Sequence, residues 1–217
     1  MFLFLMASAA MVSCGSDDGE SSAKLPSNVA LAAGPTALNY SFSFDDKRNL
    51  TQLIRSGSEP ATVQITYGSN GKASGASKIA GGTTTSYTFG YDSEGRLNSY
   101  TPQGQPTVNL TWTNDNTMSY DGNTYTFTDK GDIVLYQTLA FNYANAKKGP
   151  FANAKYDAFI LTLLDNQSPL FATRQPISSI SAGGQVIIMN NTFESGYLAS
   201  MTFSDNMTTG TMTVSYN

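Results

Sequence analysis

The sequence predicts an all-β domain, an antiparallel meander of about ten strands that curls into a soluble barrel-like or strongly curved sheet, with one short helix near residues 156–165. Three observations carry that expectation. Large apolar side chains recur at alternate positions in LNYSFSF, VQITY, SYTFGY, VNLTWT, NTYTFT, LAFNY, MTFS and MTVSY, the two-residue period of a strand with one wet face. Turn residues recur between these runs, at FDDKRNL, YGSNGKA, YDSEGRL and TDKGDIV. Finally, 12 Phe and 12 Tyr supply rigid, strand-favouring apolar area for a sizeable core.

Along the chain, residues 2–13 read FLFLMASAAMVS, too short for a spanning helix of ~20 residues but suited to the apolar core of a secretory signal. Residues 1–13 are therefore expected to be a signal peptide. The only cysteine, Cys14, follows at once and cannot pair within the chain; MVSC resembles the lipobox of bacterial lipoproteins, which implies acylation of Cys14. After Cys14, residues 14–36 continue GSDDGESSAKLPSN, too polar to offset the entropy of ordering, and are expected to be a flexible acidic tether. The β domain is expected over 37–217 as one unit.

Within it, Leu38, Tyr40, Phe42 and Phe44 fall on one face and Asn39, Ser41 and Ser43 on the other; Tyr87, Phe89 and Tyr91 repeat the arrangement. Three of the four turns carry glycine, and the first has Asn49 where a positive φ is expected; a nearby Asp or Ser caps each turn. YDGNTY offers Asp121-Gly122 or Gly122-Asn123 for a tight hairpin. Phe159, Ile160, Leu163 and Leu164 break the alternation at helical spacing, giving a helix that covers the sheet or plugs an open end. Pro169 and Pro176 mark an irregular return.

The aromatic strand followed by Y/F-D-x-x-G-[RK]-L, best copied in YTFGYDSEGRLNSY, resembles the YD-type repeats of bacterial surface proteins. With the lipobox, FNYANAKKGPFAN at 141–153 and FESGYLASMTF at 193–203, the whole is similar to Bacteroidetes lipoproteins of unknown function that have a porin-like antiparallel domain. The acidic run Asp17, Asp18 and Glu20 looks like the surface-export signal of such lipoproteins. The resemblance implies an outer-membrane lipoprotein at the cell surface and brings no activity with it.

Composition excludes several chemistries. There is no histidine, so histidine-dependent nucleophiles and imidazole zinc sites are out. Net charge is −4, with no basic cluster to gather phosphates, so nucleic acid is not an expected partner. No phosphate-binding glycine motif is present, and no cofactor or metal is expected. Asp92 with Glu94, or Asp45 with Asp46, would be the pairs for a glycan-processing enzyme, but each sits in a turn where Asp caps backbone amides. Aromatic faces stack on sugars, which makes Trp112, Tyr100, Tyr120 and Tyr136 the candidate ligand contacts, the tyrosines because they fall near strand ends; most other rings occupy the core face. The expected function is a non-catalytic envelope module, held to the membrane by its lipid and facing carbohydrate or an envelope protein. A carboxylate-based glycan enzyme and an integral outer-membrane β-barrel are the alternatives, the latter disfavoured by alternating runs of five to seven residues where ~9–11 are needed to cross.

Overall fold

The computed structural model describes residues 23–204 and 209–217. The expected signal peptide, Cys14 and the first part of the expected tether lie outside the described residues. Seven strands open the domain: β1 (Pro26–Ala33), β2 (Thr36–Phe44), β3 (Leu50–Gly57), β4 (Ala61–Tyr67), β5 (Ala73–Ala80), β6 (Thr83–Tyr91) and β7 (Leu97–Pro102), each antiparallel to the next. β8 (Val108–Asn109) and β9 (Thr111–Asn114) are two halves of one extended stretch. The first half pairs with β7 and the second with β10 (Thr117–Tyr120), while Leu110 between them donates its amide to the Asn98 carbonyl at 2.8 Å. The meander continues through β11 (Asn123–Phe127), β12 (Ile133–Tyr136) and β13 (Leu139–Tyr143). After an insertion, residues 144–176, it resumes as β14 (Ile177–Ala182), β15 (Gln185–Glu194), β16 (Tyr197–Ser204) and β17 (Thr209–Tyr216). β17 pairs with β1, setting Val29 opposite Val214 and Leu31 opposite Met212. The all-β, barrel-like class is thus as expected, and the closing pair removes the open edges a curved sheet would leave.

Two expectations change. Among the described residues the strands number 17, not about ten; β5 (ASGASKIA) and β14 (ISSISA), for example, lack aromatic alternation and are specified by the ladders of their neighbours. Residues 26–33, assigned to the tether, form β1. Their alanines are weak strand formers, and the strand exists because β2 and β17 flank it and bury Val29 completely.

The insertion fills the barrel. Its helix α1 (Ala158–Leu164) lies within the expected 156–165, starts at the cap Asp157, whose Oδ1 accepts the Ile160 amide at 2.9 Å, and is followed by a 3-10 turn over Ser168–Leu170. Phe159 packs edge-on against Tyr120 and Tyr125 of one wall. Phe151 and Phe171 pack against Phe42 and Tyr40 of another. The insertion therefore plugs the lumen from wall to wall. Two buried acids tie it in place. Asp132 accepts the Arg174 and Gln175 amides at 2.7 and 2.9 Å; Asp165 accepts Arg55 Nη1 at 3.0 Å and the Gln167 amide at 3.0 Å.

The four repeated turns share one geometry and one end of the barrel, the upper rim. In each, the first residue (Asp45, Gly68, Asp92, Thr128) exchanges backbone hydrogen bonds with residues three and four further on, and each adjoins a β-bulge. Asp45 and Asp92 cap as expected, each accepting two backbone amides at 2.8–3.0 Å. The positive φ of the first turn falls on Arg48 (67°), not on Asn49. Arg48 occupies the place of Gly95 in the D-x-x-G frame, and Asn49 is extended, donating Nδ2 to Asp45 Oδ2 at 2.7 Å. The lower rim is made largely of two-residue turns, among them Asp121-Gly122, with positive φ at both positions.

Outward positions are mainly Ser, Thr, Asn and Gln, as in Thr62, Gln64 and Thr66 of β4 or Thr211, Thr213 and Ser215 of β17. Ile54, Ile79, Val186 and Ile188 are the large exposed apolar residues among those described.

Candidate functional site

Where the plug enters the upper rim it leaves two adjoining depressions of about 270 and 360 Å3. Both are lined by Tyr156, Asp157 and Arg174, so these three plug residues form the ridge between them. The first depression adds Trp112, Phe127 and Phe159, with the rim acids Asp115 and Asp129. The second adds Tyr67, Tyr91, Lys72 and Lys155. Three acids and three bases line the pair, a balance that suits a neutral polar ligand better than a strongly charged one.

The ridge is rigid for identifiable reasons. Arg174 lies over the Tyr156 ring, 4.3 Å from its centroid, and donates Nη2 to the Tyr156 carbonyl at 2.9 Å. Tyr156 in turn donates its hydroxyl to the Ala172 carbonyl at 2.6 Å. Gly131, at φ 81°, brings the β11–β12 turn so close that a Cβ there would stand 3.3 Å from Arg174 Nη1. Asp157 is hemmed in by protein yet reached by water through the depressions. Burial pushes its carboxyl above the ordinary aspartate range, against the pull of the Ile160 and Phe159 amides and of Arg174. Burial likewise raises the Tyr67 and Tyr91 hydroxyls, with the charge of Asp157 adding to both. Tyr67 donates to the Leu50 carbonyl at 2.9 Å and Tyr91 to the Ala73 carbonyl at 2.8 Å. Lys72 reaches across to the Gly95 carbonyl and lies 5.2 Å from the Tyr91 centroid.

Of the residues expected to meet a ligand, Trp112 alone lines this cleft. Its Nε1 donates to the Leu97 carbonyl at 2.7 Å, its ring packs 5.7 Å from Phe127, and the Arg96 guanidinium stands 5.7 Å from its centroid. Arg96 is held by Asp92 at 2.9 Å, Glu94 at 2.7 Å and Asp115 at 3.4 Å. Tyr100, expected near the surface, is buried, and its hydroxyl donates to that of Tyr120 at 2.7 Å. Tyr120 and Tyr136 are half-buried and gather on Tyr125 at 6.2 and 5.8 Å. The three tyrosines thus form one cluster beneath Phe159, away from the cleft. The expectation of exposure fails for Tyr100, while Tyr120 and Tyr136 remain partly exposed.

The sequence reading missed Tyr156, Asp157 and Arg174. The available signal was Asp157 standing just before the helical run, the position of a cap, on an element that had been given only a core role. Cys14 lies outside the described residues. No group of metal-ligating side chains occurs among the described residues.

No protein-family model and no curated protein matches the chain. Among solved structures it is similar to a porin-like protein from Bacteroides uniformis ATCC 8492, at 12% identity and a TM-score of 0.39, over 88% of this chain and 96% of that one. A porin-like protein from Bacteroides vulgatus ATCC 8482 gives 11% identity and a TM-score of 0.41, over 89% of this chain and 99% of that one. Likeness at this level carries no argument about function.

Proposed function

We propose that this chain is a cell-envelope lipoprotein, anchored through Cys14, whose upper-rim cleft binds carbohydrate without transforming it. The observation that carries the reading is the cleft itself: a fixed ridge of Tyr156, Asp157 and Arg174 with an indole on one side and two tyrosines on the other. Aromatic surfaces beside a few convergent polar groups are what a saccharide's apolar faces and hydroxyls require. Outward faces rich in Ser, Thr, Asn and Gln favour a barrel held by a lipid over one embedded in hydrocarbon, which needs an apolar outer band ~25 Å tall. The expected result on a glycan panel is binding by the full chain that is lost in Trp112→Ala. Protease shaving of intact cells should cleave the wild type, and Cys14→Ala should release it from the membrane. No binding on the panel, or protection of the protein in intact cells, would refute the corresponding half of the proposal.

One observation favours the enzymatic alternative. Asp157 is a carboxyl with a raised pKa in a cleft, as a general acid would be. A glycosidase also needs a partner carboxylate across the bond, and the other cleft acids are committed at the rim: Asp115 to Arg96, and Asp129 accepting from Asn116 Nδ2 at 2.9 Å. Chromogenic glycosides left intact by the wild type are the expected outcome; turnover abolished by Asp157→Asn would replace the binding reading with the catalytic one.

A further inference from the structure

The lower mouth of the barrel holds a second cavity, of about 270 Å3, between the wall and the plug. Its wall runs through contiguous strands of the ring, from β13 through β17 to β1 and β2. Several contribute two successive inward side chains, such as Leu31 with Ala33, Ile180 with Ala182, and Met201 with Phe203. The lining is therefore largely apolar over roughly 7 Å of depth, two successive inward residues lying two strand positions apart at ~3.3 Å per residue. The plug closes the inner side with Leu170.

We propose that this mouth binds a single unbranched hydrocarbon chain, such as an acyl or alkyl chain, with its head group left in solvent. The volume sets the size: an apolar cavity of ~150 Å3 takes one benzene, so this one is too large for a single small ring to fill and too small for a two-chain lipid. Chemistry sets the class. Among the described residues no charged side chain lines the cavity, and its polar members are Thr36, Gln167 and the outward-facing Thr211, none of which would pair with an ionic head. Met189 and Met201 supply thioether side chains that adapt to a chain's shape. Phe203 is fixed as a wall, since its ring lies directly over Gly210, where a Cβ would clash with it. This site is independent of the upper cleft and does not rest on carbohydrate binding.

The test is titration of the full-length protein with the alcohols from octanol to dodecanol and with decanoate, each below its aggregation threshold, read by calorimetry. Binding should be one to one, should tighten about fourfold for each added methylene until the cavity is full, and should be similar for decanol and decanoate. Ala33→Phe and Ala182→Phe each fill the mouth from a different strand and should abolish binding while keeping the wild-type circular dichroism. Absence of saturable binding, affinity independent of chain length, or unchanged binding in either folded variant overturns the proposal. Should neither variant fold, the chain-length series on the wild type decides alone.

Discussion

The two ends of this barrel are built from the same strands and carry opposite chemistry. At the upper rim, the turns and the plug entrance set Asp, Lys and Arg around an aromatic cleft. At the lower rim, the turns among the described residues carry only isolated acids such as Glu59 and Asp121, and the inward residues lining the mouth are largely apolar. A strand passes its alternation to both of its ends equally, so the difference comes from the connections. A bulged turn with a capping aspartate brings ionisable side chains with it; a two-residue turn selects for backbone conformation alone.

The sharpest way to break this division is through the plug, which serves both ends. Asp165→Ala removes the buried carboxylate from Arg55 at the lower end and leaves it only the exposed Glu59 at 3.6 Å. It should cost about 3 kcal/mol in urea denaturation and loosen the whole molecule. Asp157→Asn at the upper end keeps an acceptor for the Ile160 amide and should change stability by less than about 1 kcal/mol, altering the cleft alone. Equal losses from the two variants would mean that the ends are not separately supported.

Turn substitutions come next in size. Gly95→Ala forces a side chain into φ 80° and into the space of Lys72 Nζ, and should lower stability by about 1–2 kcal/mol. Its mirror is Arg48→Gly, which relieves a left-handed arginine at the equivalent place and should stabilise by about 1 kcal/mol. Thermal unfolding of the two single variants measures both signs.

The smallest effects are in pH dependence, and they too divide the acids. Hydrogen bonds from the Asn49 side chain and amide hold the Asp45 carboxyl below its ordinary range. At Asp92 a burial effect that raises the pKa is outweighed by the Arg96 amide and guanidinium. These two contribute stability that is present above the ordinary aspartate pKa and is lost as pH falls through the depressed value. Asp132, Asp157 and Asp165 are raised by burial against their partners, so the folded state takes up their protons first. Between the ordinary and the raised values, their contribution grows as pH falls. In stability profiles from pH 7 to 3, Asp45→Asn should remove part of the acid-side loss, and Asp157→Asn should flatten the opposing rise.

Much of this architecture is legible in the sequence because alternation and turn chemistry are local. Tyr40 and Phe42 alternate with Ser41 and Ser43, and the structure buries the first pair; Asp92 caps the turn its spacing implies. What stayed hidden is non-local. β1 is held as a strand in part by β17, nearly 200 residues away, which comes to lie beside it opposite β2. Tyr100 looked exposed from its place near a strand end, but it is buried against Tyr120, itself packed on the plug's Phe159. The cleft joins Trp112 to Asp157 and Arg174 across the lumen, a meeting that only ring closure around the insertion creates.

The most direct test of a two-ended barrel is to take the saccharide selected on the glycan panel and measure its affinity by calorimetry for the wild type, Trp112→Ala and Ala182→Phe. The account predicts that Trp112→Ala abolishes saccharide binding while Ala182→Phe binds as the wild type does. Binding retained in Trp112→Ala, or lost in a folded Ala182→Phe, would contradict it.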